Sequence, residues 1–158
     1  MATFTDARLD RDANFREITS NEAIRAVAPW TFIAATTGAT GVHSLFTVTG
    51  DIILSVFATV ETIPADAGAP TIEVGVVGNT AVLIAQGLAK SLSAGEVWVD
   101  GTLTRVGAGA IPASQIITGV TSIDLKIATA TVTSGKLNFY AIWRPLSATG
   151  SLTVTTPA

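Results

Sequence analysis

Apolar and polar side chains alternate along most of this chain, and the alternation is sharpest over TIEVGVVGNTAVLIAQ, residues 71–86. Two period-two runs flank Gly78-Asn79, a dipeptide that tolerates positive φ and so predicts a two-residue hairpin turn. Closing that turn sets Val76 against Ala81, Val74 against Leu83 and Ile72 against Ala85 as one apolar face. The other face carries Glu73, Gly75, Val77, Thr80, Val82 and Ile84 and is only half polar. Residues 52–63 show the same habit: Ile52, Leu54, Val56, Ala58 and Val60 share one face, and Ile53, Ser55, Phe57, Thr59 and Glu61 the other. A strand with two apolar faces has both sides covered. Ile53, Phe57, Val82 and Ile84 are therefore the expected oligomer-interface residues.

Further strands are predicted at 30–35, 42–49, 96–99, 102–106, 122–132 and 136–144. Gly-rich residues 38–41, Gly50-Asp51, Asp100-Gly101 and Ser134-Gly135 supply the turn signals, with Pro64 and Pro70 bracketing a loop. Between 122 and 132 the apolar parity slips from Ile123, Leu125 and Ile127 to Ala128, Ala130 and Val132, which requires a bulge or a break near Ile127. About eight strands with tight turns predict an all-β chain, an antiparallel β-sandwich or jelly roll, with an up-and-down barrel as the competing architecture. No internal repeat and no second domain is visible.

The first 25 residues differ. They hold nine of the twenty-one charged side chains, and their apolar residues Phe4, Leu9, Phe15 and Ile18 follow no sustained period. They read as an extended arm rather than a packed element. Thr19-Ser20-Asn21-Glu22 has capping-box spacing and predicts a short helix over about 20–27, stopped by Pro29. The expected organisation is an arm with a short helix (1–28), a β-sandwich body (29–148) and a C-terminal tail (149–158).

Composition narrows the function classes. Only 13% of the 158 residues are charged, against about 25% in an average soluble protein. No apolar run approaches the 18 or so residues of a membrane helix, and no secretory signal precedes Asp6. So uncharged an exterior, without a membrane segment, implies cover by other subunits. A net charge of −3 argues against a nucleic-acid partner. The lack of cysteine excludes disulfides and thiolate metal sites. His43 is the lone histidine, set between Val42 and Ser44 in a predicted strand with no G-x-S-x-G elbow, and reads as a structural or surface residue. Asp6, Asp10 and Asp12 lack the glycine and terminal glutamate of a calcium loop. Gly107-Ala108-Gly109 precedes no helix and is no phosphate loop. Glu61, Asp66, Glu73, Glu96 and Asp100 form the pool for a carboxylate pair, and Glu96 and Asp100 flank Trp98 as in sugar-gripping sandwiches. Trp98 nonetheless alternates with Val97 and Val99, which favours packing. No catalytic residue, cofactor or metal is expected.

The segments HSLFTVTGDIILSVFATVET, TIEVGVVGNTAVLIAQ, GEVWVDGT and LNFYAIWRPLS resemble small structural proteins encoded by tailed bacteriophages. The likeness covers most of residues 42–148, and its motifs are strands and not catalytic signatures. It implies a non-enzymatic virion component assembled in the host cytoplasm, most similar in layout to head decoration (cement) proteins. Those are compact β bodies, commonly homotrimers, whose N-terminal extension reaches over the major capsid protein; the resemblance thus implies Phe4, Leu9, Phe15 and Ile18 as the residues that bind that partner, with no nucleic-acid or membrane partner. A tail, baseplate or fibre component and a carbohydrate- or receptor-binding sandwich, with Trp98 or Tyr140 as platform, are the alternatives. Magnitudes limit the arm. Burying Phe4, Phe15 and Ile18 contributes roughly 5–9 kcal/mol at about 1.5–3 each, whereas ordering some twenty residues costs roughly 1–2 kcal/mol per residue. The arm therefore needs backbone hydrogen bonds to its partner or several copies acting together.

Overall fold

The computed structural model describes residues 23–66, 68–99 and 112–155. Among them the secondary structure is ten strands and one 3-10 turn, Ala89–Ser91. The strands are β1 (Ile24–Thr31), β2 (Gly41–Thr49), β3 (Ile52–Asp66), β4 (Thr71–Val76), β5 (Asn79–Leu88), β6 (Val97–Trp98), β7 (Gln115–Ile117), β8 (Thr121–Ala128), β9 (Val132–Pro145) and β10 (Ser151–Val154). Two antiparallel sheets enclose one core. The first has the order β1-β9-β3-β6, with β7 also paired to β3; the second runs β10-β2-β8-β4-β5. Apart from β4–β5 and β6–β7, consecutive strands fall on opposite sheets, which rules out an up-and-down barrel.

The core takes one parity from each strand. Ile52, Leu54, Val56 and Ala58 of β3 meet Leu137, Phe139 and Ala141 of β9, with Trp30 from β1 and Trp98 from β6. Across from them lie Phe46 and Val48 of β2, Ile72 and Val74 of β4, and Ile123, Leu125 and Ile127 of β8. Each of these side chains is almost wholly removed from water, which at about 1.5–3 kcal/mol for a large apolar side chain makes this layer the main source of stability.

The body is larger than expected at both ends. Residues 24–27 are strand and not helix: β1 pairs with β9 from Ile24 opposite Trp143 to Thr31 opposite Lys136. A capping box is a local signal, and pairing with a strand over a hundred residues away overrides it. Pro29 costs nothing there because β1 is an edge strand, where one N–H need not join a ladder. At the other end β10 pairs with β2, so residues 151–154 belong to the sandwich and not to a tail. Gly50-Asp51 is a tight turn, but it carries the chain from the second sheet to the first and does not close a hairpin. Ser134-Gly135 lies inside β9, while the real break falls at 129–131, where Thr129 has φ 72°. That break accounts for the parity slip after Ile127. The expected strand at 102–106 lies outside the described residues.

The β4–β5 hairpin closes one residue earlier than predicted, at Val77-Gly78, with Val76 opposite Asn79 and Gly78 at φ 86°. Val74 then faces Ile84, so two steps along β4 match five along β5. The surplus of β5 arches over the outer face of β4. Gly75 permits this, because a Cβ there would press on the backbone of Asn79, Thr80 and Ala81, at 2.8 Å from the Ala81 nitrogen. Gly75→Ala is expected to cost about 1–3 kcal/mol by forcing that backbone away, measured by urea unfolding.

Candidate interaction surfaces

Of the residues expected to bind partners, Phe4, Leu9, Phe15 and Ile18 lie outside the described residues. The four expected at an oligomer interface do not come together. Ile84 is a correction: the extra β5 residues reverse its parity, and it is fully buried in the chain's own core. Val82, half-buried on the same strand, packs against that core. Ile53 and Phe57 lie on the first sheet's outer face, where both are half-buried.

That outer face carries apolar side chains in adjacent rows. Register aligns Val27 of β1, Tyr140 of β9 and Phe57 of β3 in one row across three strands. The Phe57 and Tyr140 rings stack, centroids 5.1 Å apart and planes 11° off parallel. The neighbouring row holds Ile142 between Arg25 and Ser55, and the next has Ile53 between Arg144 and Ile116. Ser55 is buried and shares a hydrogen bond with Ser114 at 2.9 Å, so the segment leading into β7 lies against this face. Farther along, Glu61 accepts hydrogen bonds from Lys136 Nζ at 2.8 Å and Asn138 Nδ2 at 3.1 Å. The Lys136 and Asn138 bonds hold its carboxyl below the usual carboxylate range. The face is thus apolar at its centre and charged at both ends. Half of it was readable beforehand, since Tyr140 and Ile142 share the parity opposite Phe139; the stack itself needed the register of β3 on β9.

A polar cluster that sequence reasoning missed lies outside the second sheet, beneath the β5 arch. Glu73, only 5% exposed, sits opposite Lys126 of β8. Its carboxylate accepts from Thr80 Oγ1 at 2.5 Å, Lys126 Nζ at 2.9 Å and Gln86 Nε2 at 3.2 Å. Beside it Asp124, also buried, accepts from Ser122 Oγ at 2.8 Å. Every donor comes from within the chain, so the cluster pins the hairpin and presents no open reactive group.

The other candidates resolve as structure. His43 donates Nε2–H to the Ala39 carbonyl at 2.8 Å with its ring against the edge of Trp30, centroids 5.6 Å apart. Trp98 is fully buried against Phe139 and has no face for a sugar. Glu96 accepts from the Ser93 backbone N–H at 2.7 Å and closes a turn. Among the described residues no group of three His, Cys, Asp or Glu is placed to hold a metal ion, and no helix is long and apolar enough to cross a membrane.

No protein-family model matches the chain, and no curated protein matches its sequence. Its fold is similar to that of a chain from the acid-stable capsid of Helicobacter pylori bacteriophage KHP30. The two are 12% identical, superpose with a TM-score of 0.52, and align over 85% of this chain and 96% of that one. The likeness is one of fold. It spans most of both chains and so extends beyond a single motif.

Proposed function

We propose that this chain is a non-enzymatic structural subunit of a tailed-phage virion: a capsid decoration protein that reinforces the head shell. The carrying observation is the fold it shares, over most of both chains, with a chain of a phage capsid. The strand orders β1-β9-β3-β6 and β2-β8-β4-β5 support reading the body as a jelly roll, a double Greek key used by viral capsid and lectin domains. Ile53, Phe57 and Tyr140, which the chain itself only half buries on an outer sheet face, support self-association, which we read as a homotrimer. Residues 1–22, with Phe4, Leu9, Phe15 and Ile18, serve as the arm over the major capsid protein.

The test is localisation on intact virions. Immunogold label, or density that fits the body in a cryo-electron reconstruction, is expected on the head shell in symmetric copies; label confined to the tail would sink the decoration reading. Light scattering on the purified chain is expected to give three times its 16.1 kDa mass. Removal of residues 1–19 is expected to cut retention on heads at least tenfold while leaving the thermal midpoint unchanged.

A further inference from the structure

Four turns meet at one end of the sandwich. Val48 of β2 pairs with Thr121 of β8, and Ile123 of β8 with Val76 at the tip of β4. On the other sheet Ile52 lies between Pro145 of β9 and Ile117 of β7, and Ser151 of β10 returns beside Thr49. Turns 49–51, 77–78, 118–120 and 146–150 therefore share a pole. β1 begins at the same pole, Ile24 opposite Trp143, so the preceding chain joins the body there.

The side chains at these tips run against turn chemistry, which favours Gly, Asn, Asp and Ser. Val77 is 73% exposed, Val120 77% and Leu146 52%. The four turns hold a single charged residue, Asp51, and its polar groups are engaged inside the pole. Its carboxylate accepts from Gly119 N–H at 3.1 Å, its carbonyl from Leu146 N–H at 2.8 Å, and its own N–H donates to Ser147 Oγ at 2.9 Å. One residue thus locks the turns that carry Val120 and Leu146. Rigid apolar tips lose little freedom on docking, the condition under which a small apolar contact contributes to affinity.

We infer that this pole is the seat of the subunit on the particle, docking Val77, Val120 and Leu146 on an uncharged, apolar surface of another shell protein. The inference rests on the virion reading above and adds the orientation of the body. On the arm reading proposed above, the junction of the first 22 residues with the body at this pole favours a shell protein over a second copy, since their reach of at most about 75 Å starts from the same end. The sheet face with Phe57 and Tyr140 stays free for neighbouring copies.

The experiment is co-sedimentation with heads assembled without this subunit by the phage that encodes it. Wild type, the pole variant Val120→Asp/Leu146→Asp, and an opposite-pole control, Ile33→Asp/Ile63→Asp, are compared; Ile33 and Ile63 are 54% and 50% exposed. Wild type and control are expected to bind alike, and the pole variant at least tenfold less, with unchanged oligomeric mass and melting. Equal binding by the pole variant, or loss in the control instead, overturns the inference. A changed oligomeric mass in the pole variant overturns it in favour of a second copy. Failure of wild type to bind any head defeats the virion reading itself, and this inference with it. A photo-crosslinking residue at position 120 supplies a readout independent of the charged variants: a cross-link to a shell protein there, and none from position 33, is the expected result, and the reverse pattern overturns the assignment.

Discussion

Trp98→Ala is expected to lower unfolding free energy by about 3–5 kcal/mol, the range for truncating a fully buried large aromatic. β6 is only two residues long, and its ladder to β3 consists of Ala58 opposite Trp98 and Thr59 opposite Val97. Backbone bonds from Val60 N–H to Glu96 O at 2.9 Å and from Gly95 N–H to Val60 O at 2.8 Å extend it. So short a strand holds its place by the side chain it inserts, and Trp98 packs edge-on against Phe139, centroids 6.3 Å apart. Trp98→Phe keeps an aromatic partner for Phe139 and should cost less than half as much. Denaturant unfolding of both variants measures this. A loss below about 1 kcal/mol for the alanine variant would mean that the ring faces solvent, and would revive the stacking platform. On the present geometry, any ligand binding lost in Trp98→Ala is lost through unfolding.

The chain discloses its parity more readily than its partners. In β3, and in β9 from Leu137 onward, every apolar core residue sits on the parity that alternation assigns, because a strand's inward set depends only on period two. Turn residues were legible as turns but not as connections. Gly50-Asp51 reverses the chain while changing sheets, and no local signal separates that from a hairpin. Gly78-Asn79 marks the hairpin within one residue, yet the extra β5 residues between Asn79 and Ile84 move Ile84 from an expected outer face into the core. The capping box at Thr19 to Glu22 failed over residues 24–27 because the deciding interaction is with β9, whose sequence distance hides it. The candidate surfaces divide in the same way. Period two alone set Ile53 and Phe57 on the outer face of β3, whereas the pole is a meeting of four turns far apart in sequence. No reading of the residues one segment at a time places Val77, Val120 and Leu146 together.

Lys126→Met is the substitution expected to disturb that assembly most without touching the core. It keeps the aliphatic stem and removes the charge, leaving the Glu73 carboxylate with only the neutral donors Thr80 and Gln86. Breaking a buried pair typically costs about 3–5 kcal/mol. The Lys126 side chain is 37% exposed and Glu73's 7%, so partial solvation of the cation reduces the expected loss to about 2–3 kcal/mol near neutral pH. Burial pushes the Glu73 carboxyl up, but the bonds from Thr80 and Lys126, the Lys126 charge and the Gln86 bond outweigh it, and the carboxyl is held below the usual range. A carboxyl whose pKa falls on folding stabilises the fold above its unfolded pKa, and that stabilisation is lost as pH drops through the folded value. The gap between wild type and Lys126→Met should therefore be widest near neutrality and narrow in the acid range, once Glu73 is protonated in both. Adding Glu73→Gln removes the stranded charge and should recover part of the loss, a coupling that a double-mutant cycle reads directly. A gap independent of pH would mean that the pair contributes through packing alone. A gap that closes in acid would tie the Glu73 charge to the arch of β5, and through the Val77-Gly78 turn to the geometry of the pole.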